Sequence, residues 1–477
     1  MPFLSLEFGL FFLVFFPLYW AIARFPNWQN SLLFFSGLGW LWYISPFFAF
    51  AVIAFSLIIS LLARFIYQAK TQLHKKIGLS TAIIVAILNL SFFKYFDFFR
   101  NSIQAVLNLS DLFVDIVIPL GISYYTFQSI SYVVSVYRKS VIYLSLSHTL
   151  LYFCFFPTIT SGPIIRANSF KSINGVERGM VEQLILQSPR KIIKPALAIS
   201  LILLGIIKKW WWAGALAEDV VDPIFNNPMQ YDAFHILVAI YGYTAQLFFD
   251  FSGYSDLVIG MAMLLGFQLP MNFMMPLRSK NLQEFWQRWH ITLSTWIRDY
   301  IYIPIGGNKK GFWLTQCNIM IAMVLSGIWH GAGWNFTIWG GLHGLGLILL
   351  NIKNRIFRKS VSSSSIFVKI IAIAITLTFV SFTFIVFRVA NLEEVELILK
   401  ALLNPIQSYP SGRVLFSAGI LLFSLCCYAW FKSLFEGFVK FLEYLPVWLW
   451  VFPILVVLIL VMIMAPSGIP SFIYANF

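Results

Sequence analysis

Charge is what this sequence has least of. Of its 477 residues only 11% are Asp, Glu, Lys or Arg, whereas 60% are hydrophobic and the mean hydropathy is +0.81. A soluble domain carries about 25% charged residues, so division into two or three soluble domains is excluded. Cysteine is also scarce. The four present (Cys154, Cys317, Cys426, Cys427) lie in or beside apolar runs without metal-ligand spacing, which predicts buried free thiols. There is no H-E-x-x-H, no Cys/His cluster and no phosphate-type glycine loop, so neither a catalytic metal nor a bound nucleotide is expected. The first apolar segment, 4–23, lacks a basic leader and a small-residue cleavage pattern, and it reads as a retained span. The net charge of +14 is scattered in short clusters between apolar segments. That is the pattern of membrane topology and not of nucleic-acid binding.

What is there instead is a succession of apolar runs with phenylalanine (50) and tryptophan (17) in abundance. Ten to twelve segments stand out, about 4–23, 30–45, 47–66, 79–97, 112–136, 146–160, 193–213, 232–267, 315–350, 365–388, 413–431 and 446–465. Runs near twenty residues are long enough to cross a bilayer as helices. The expected fold is therefore an all-α polytopic membrane protein, with residues 1–477 as a single transmembrane domain. The 232–267 and 315–350 regions contain several glycines and a few charges, which predicts broken or re-entrant helices, tolerated only away from lipid. No internal repeat is evident, which argues against an inverted-repeat transporter. The basic stretch 63–76 predicts a cytoplasmic loop and, counting back three spans, an extracytoplasmic N-terminus.

Three polar stretches interrupt the apolar pattern. In FWQRWHITLSTWIRDYIYIPIGG (285–307) a helix ending before Pro304 would align Phe285, Trp289, Leu293, Trp296 and Tyr300 in one stripe, with Glu284 and Arg288 paired on another face. An aromatic interfacial helix with snorkelling arginines explains everything there except His290. In LSGIWHGAGWNFTIWGGLHG (325–344), His330 sits inside an apolar, glycine-rich segment beside Trp329. An ionisable group at membrane depth is either packed and hydrogen-bonded or functional, and histidine suits general-base work near neutral pH. His343 reads as structural. In FFDFSGYSDLVIG (248–260), Asp250 and Asp256 need cationic partners, and Arg278, Arg288 and Arg298 are available. Pairing that shapes a cavity is the favoured role, with a cation pathway as the alternative. Composition and buried charge alone would favour a transporter or channel, and a scaffold for polysaccharide export is compatible with the structural readings of these residues.

These stretches, together with PLGISYYTFQSISYVVSVYR (119–138) and FPTITSGPIIR (156–166), resemble the membrane-bound O-acyltransferase family. The resemblance is strongest over 115–345 and is nearest to the bacterial branch that O-acetylates alginate and peptidoglycan. It extends weakly to the closing SFIYANF (471–477). It implies a helical bundle around a central tunnel, with 115–345 as the catalytic core and His330 as the essential histidine of the W-H-G motif. The second signature position, held by His, Asn or Asp across the family, falls on His290. Arg288, Trp289, Arg298, Asp299, Trp329, Asp256 and Asn335 are then candidates for donor binding or channel lining. No bound cofactor is implied. The donor would be acetyl-CoA or another acetyl carrier reaching the tunnel from the cytoplasm of a bacterial inner-membrane protein. The resemblance implies an extracytoplasmic polysaccharide acceptor served through a separate periplasmic esterase-like partner, and the lack of a G-x-S-x-G element here fits that division of labour. D-alanyl transfer to cell-envelope polymers is the alternative specificity.

Overall fold

The computed structural model describes residues 3–107, 117–172, 175, 177–357, 365–403 and 412–468. Among the described residues the protein is all-α, apart from an antiparallel ribbon in which Phe170–Lys171 pairs with Glu177–Arg178. In chain order the helices are α1 (Leu6–Ala21), α2 (Pro26–Ile44), α3 (Pro46–Gln68), α4 (Gln72–Leu107), α5 (Ile122–Tyr137), α6 (Leu146–Phe153), α7 (Met180–Leu184), α8 (Pro195–Asn226) and α9 (Ala233–Leu264). They continue as α10 (Leu282–Arg288), α11 (Ile291–Ile297), α12 (Phe312–His330), α13 (Trp334–Ile356), α14 (Ile366–Arg388), α15 (Leu392–Ala401), α16 (Gly412–Tyr444) and α17 (Val451–Met464). Pro26 and Pro46 open α2 and α3 at positions where a missing N–H costs nothing.

Among the described residues eight helices are long and apolar enough to cross a membrane: α3, the first part of α4, α8, α9, α12, α13, α14 and Val447–Met464. The protein is thus a multi-pass membrane protein. Some of the expected segments fold differently. The 146–160 run forms only the eight-residue α6, followed by a 3-10 turn at Phe156–Thr158. The 112–136 run becomes the sixteen-residue α5, thirteen of whose residues are buried. Such runs are core elements too short for the bilayer.

Two compact units divide the chain. One comprises Met1–Pro195 and Met261–Met271, the other Ala196–Gly260 and Asn272–Phe477. In the first, the Tyr19 hydroxyl donates to the Leu265 carbonyl at 2.8 Å. Arg190 there donates to Asn30 Oδ1 and the Gln183 carbonyl, at 2.7 and 2.9 Å, and lies over the Phe267 ring. All the candidate site residues belong to the second unit.

The helix α9, whose residues up to Gly260 belong to the second unit, corrects one expectation. The 232–267 region is a single unbroken helix of 32 residues rather than a re-entrant pair. Its most apolar window is 94% buried, so its glycines and acids face protein and nothing requires a break. The 315–350 region does break, at Gly331–Gly333, into the hairpin of α12 and α13. Gly327 and Gly340 set how closely these helices approach. A Cβ at Gly327 would lie 2.2 Å from the Phe336 carbonyl oxygen, and one at Gly340 would lie 2.4 Å from that of Met323. Small residues at such crossings allow direct backbone packing.

Cysteine placement matches the expectation in part. Cys154 is buried, but Cys317 is exposed on α12. The side chains of Cys426 and Cys427, and the whole of 471–477, lie outside the described residues.

Candidate active site

The polar stretch 285–307 is not one helix. Asn281 caps α10 by accepting from the Glu284 amide at 2.8 Å, and Glu284 returns a bond to the Lys280 amide at 2.7 Å. Glu284 also pairs with Arg288, as the spacing predicted. The helix then stops at Trp289, and His290 takes φ 43° and ψ 52° before α11 begins. This left-handed conformation is uncommon for a non-glycine residue and costs on the order of 1–2 kcal/mol. Beyond α11 the chain widens into a π-helical turn at Arg298–Tyr302.

Several bonds hold the break in place. The Ile291 amide donates to the Asn272 carbonyl at 2.9 Å, and the Met274 amide donates to the Arg288 carbonyl at 2.9 Å. Asn272 Oδ1 accepts from the Thr292 amide at 3.3 Å and the Thr292 hydroxyl at 2.8 Å, and lies 3.2 Å from His290 Nδ1. The expected stripe survives the break on its buried side, because Phe285, Trp289, Leu293 and Trp296 all point inward. Tyr300 is only partly buried, its ring tilted against Trp296 with ring centroids 4.9 Å apart.

His290 is 1% exposed and His330 3%. Their rings both pack against Trp329, whose centroid is 6.2 Å from His290 and 4.9 Å from His330. Phe251 of α9 meets His290 edge-on at 4.7 Å. His330, the last residue of α12, is enclosed by Trp339 at 5.1 Å and Phe387 at 5.2 Å. Burial without a counter-charge pushes His290 down to about 3, so its imidazole is neutral at physiological pH. His290 Nε2 is buried and makes no hydrogen bond among the described residues. The arrangement provides two enclosed histidines that share one indole neighbour. An imidazole there can accept a proton, and an enclosure that excludes water protects a reactive acyl group from hydrolysis.

The remaining candidates divide. Trp289 lies in the aromatic core against Phe285, Phe273 and Phe384, at 5.5, 5.2 and 5.4 Å. Asn335 braces the Val389 carbonyl at 2.9 Å. Arg298 is 58% exposed and pairs with its neighbour Asp299, and that pairing holds its guanidinium protonated, above the usual arginine range. The two acids of α9 correct the expected arginine partners. Asp256 accepts from Lys208 at 2.7 Å, and Asp250 pairs with Lys209. A π-helical turn at Ile207–Trp212 turns these consecutive lysines toward α9, a local geometry that the sequence did not announce.

Arg278 forms no ion pair among the described residues. It helps line an apolar cavity of about 420 Å³ together with Lys208, Trp212, Phe248, Phe249 and Phe435. Phe248, one wall of the cavity, also packs against Trp289 at 6.3 Å. His343 is fully buried, with Nε2 2.9 Å from Thr383 Oγ1. Its ring lies 4.8 Å from Trp339 and 5.1 Å from Trp286.

Asn272 was not among the residues anticipated from sequence. A lone asparagine in PMNFMMPL (270–277) has neither motif nor spacing to mark it, and its role appears only when the chain folds back on His290.

Residues 138–392 match the membrane-bound O-acyltransferase family. The chain belongs to that family. Membership supports acyl transfer as its general chemistry, with His330 and His290 in the matched segment. Among relatives, a peptidoglycan O-acetyltransferase of Helicobacter pylori is 31% identical over 368 residues, covering 71% of this chain and 67% of that protein. A probable alginate O-acetylase of Azotobacter vinelandii is 38% identical over 278 residues, covering 57% of this chain and 53% of the relative. A teichoic acid D-alanyltransferase of Bacillus subtilis is 32% identical over 287 residues, covering 56% of this chain and 68% of its own. The chain therefore spans about half the length of the alginate relative and two thirds of the peptidoglycan one.

Proposed function

We propose that this protein is a membrane O-acetyltransferase. In this reading it takes an acetyl group from a cytoplasmic thioester such as acetyl-CoA and passes it across the bacterial inner membrane for O-acetylation of an extracytoplasmic polysaccharide. The observation that carries the reading is the pair of buried histidines, His290 and His330, whose rings both pack against Trp329 in a chain of this family. The two O-acetylating relatives support acetate as the group moved.

The chemistry asked of the site is modest. An acceptor hydroxyl gives its proton to His330, and its oxygen attacks the acetyl carbonyl carbon. The new C–O bond forms as the bond to the donor sulfur breaks, and the proton then passes to the leaving thiolate. His290 assists by accepting or relaying a proton. Holding donor and acceptor in line supplies much of the acceleration. Arg288 and Arg298 are engaged by Glu284 and Asp299, so Arg278 is the better candidate for an anionic portion of the donor. In this reading the acetyl group is handed to a separate periplasmic esterase-like partner, and the N-terminus is periplasmic.

The test measures base-labile acetate on purified peptidoglycan and, separately, on secreted polysaccharide. Cells lacking the gene would be complemented with the native protein or with His330→Ala at matched membrane levels. Acetate restored on one polymer by the native protein alone supports the reading and names the acceptor. Equal restoration by both removes His330 from the mechanism. If neither polymer changes and ester-linked D-alanine does, the alternative specificity replaces acetyl transfer.

A further inference from the structure

The bonds around His290 determine more than its position. Asn272 and His290 are both 1% exposed. The Asn272 amide has one orientation available. The Thr292 backbone N–H points at one of its terminal atoms at 3.3 Å, and a backbone N–H requires an acceptor, so that atom is the carbonyl oxygen. The amide nitrogen is thereby turned to the Ser255 hydroxyl at 3.3 Å. The same Asn272 oxygen lies 3.2 Å from His290 Nδ1. A carbonyl oxygen only accepts, so Nδ1 must be the nitrogen that carries hydrogen.

We infer that Asn272 is a positioning residue that fixes His290 as its Nδ1–H tautomer and leaves Nε2 as the nitrogen with a free lone pair. Nε2 is the buried ring atom that makes no hydrogen bond among the described residues. It is therefore the atom left to take a proton from a substrate group. The opposite tautomer would set the Nδ1 lone pair against the Asn272 oxygen in a buried site, where a lost hydrogen bond shifts an equilibrium by about tenfold or more. The left-handed backbone at His290 belongs to the same device. The Ile291 amide donates to the Asn272 carbonyl while the Asn272 side chain engages Thr292 and His290, so one asparagine clamps the residue on both sides. This inference rests on the reading of His290 as part of the reacting site.

The experiment is nitrogen-15 NMR of the full-length protein in bilayers, with histidine labelled. The six histidines make the spectrum tractable, and His290→Gln identifies the His290 signals. In the native protein Nδ1 should appear as the protonated ring nitrogen and Nε2 as the unprotonated one. Asn272→Leu, close in size but without an acceptor, should abolish that preference. Acetyl transfer should then fall about tenfold or more in turnover, with the donor KM within about twofold. Asn272→Asp keeps an oxygen at the same place and should recover most of the turnover. A native His290 protonated on Nε2, or a tautomer unmoved in Asn272→Leu, overturns the inference. If Asn272→Leu fails to accumulate, the native spectrum and the Asn272→Asp rescue decide it. Full activity in His290→Gln would defeat the catalytic reading of His290 separately, while the spectrum would still decide the role of Asn272.

Discussion

Lys209 and Asp250 form an ion pair between α8 and α9 with both side chains more than nine-tenths buried. One residue earlier on α8, Lys208 holds Asp256 in the same way, with somewhat more exposure. Removing one member of a buried pair leaves an uncompensated charge, at a cost of about 3–5 kcal/mol. Lys209→Met should therefore lower the melting temperature sharply in detergent. The double change Lys209→Met with Asp250→Leu should recover most of the loss. A Lys209→Met protein as stable as the native one would remove the pair from the account of what holds α8 to α9.

His290 predicts a pH dependence of stability. Burial depresses its pKa from 6.5 to about 3. Between those values the unfolded chain binds a proton that the folded protein refuses, so stability falls as the pH drops below 6.5 and is regained as it rises. At pH 5 the loss from this group is about 2 kcal/mol. Thermal unfolding of native protein and His290→Gln at pH 7.5 and 5 checks this. The native protein should lose more stability on acidification, and parallel losses would sink the prediction.

Gly327→Ala should impair folding and, through the α12–α13 hairpin, disturb the packing of His330 against Trp339. Its Cβ would lie 2.2 Å from the Phe336 carbonyl oxygen, so the α12–α13 hairpin must separate, at about 1–3 kcal/mol. Reduced accumulation in membranes is the expected outcome of quantified expression, and accumulation equal to that of the native protein would remove the close α12–α13 approach from the account of stability.

Arg278→Gln tests the cationic wall of the 420 Å³ cavity. A charge-assisted hydrogen bond contributes about 1.5–3 kcal/mol, so the donor KM should rise about tenfold or more while turnover changes little. An unchanged KM would place the anionic part of the donor elsewhere.

Much of this architecture was legible in the sequence. Apolar runs near twenty residues became α3 and α14, because a bilayer imposes its thickness on composition. The Glu284–Arg288 pair followed from helical spacing. The Gly331–Gly333 break lay where the glycines were dense. Other features left no local trace. The interruption at His290 has no glycine or proline to mark it and is imposed by Asn272 from eighteen residues away. Lys208 and Lys209 look like interfacial residues beside three tryptophans, and only the π-helical turn directs them at Asp256 and Asp250. Asn272 itself is a tertiary fact, since its partners Ser255, His290 and Thr292 come from two other segments.

The backbone at residue 290 also narrows what can be exchanged there. With φ at 43°, a β-branched or bulky aliphatic side chain is penalised whatever its chemistry, whereas His, Asn and Asp enter this region more readily than other non-glycine residues. Those three are the residues that the family resemblance attaches to this position. Glycine would relax the strain and leave no side chain to react. Selection for folding alone would drift toward glycine or asparagine at 290. A histidine kept there trades conformational ease for an imidazole, so variants that gain thermal tolerance by losing it should lose acyl transfer in the same step.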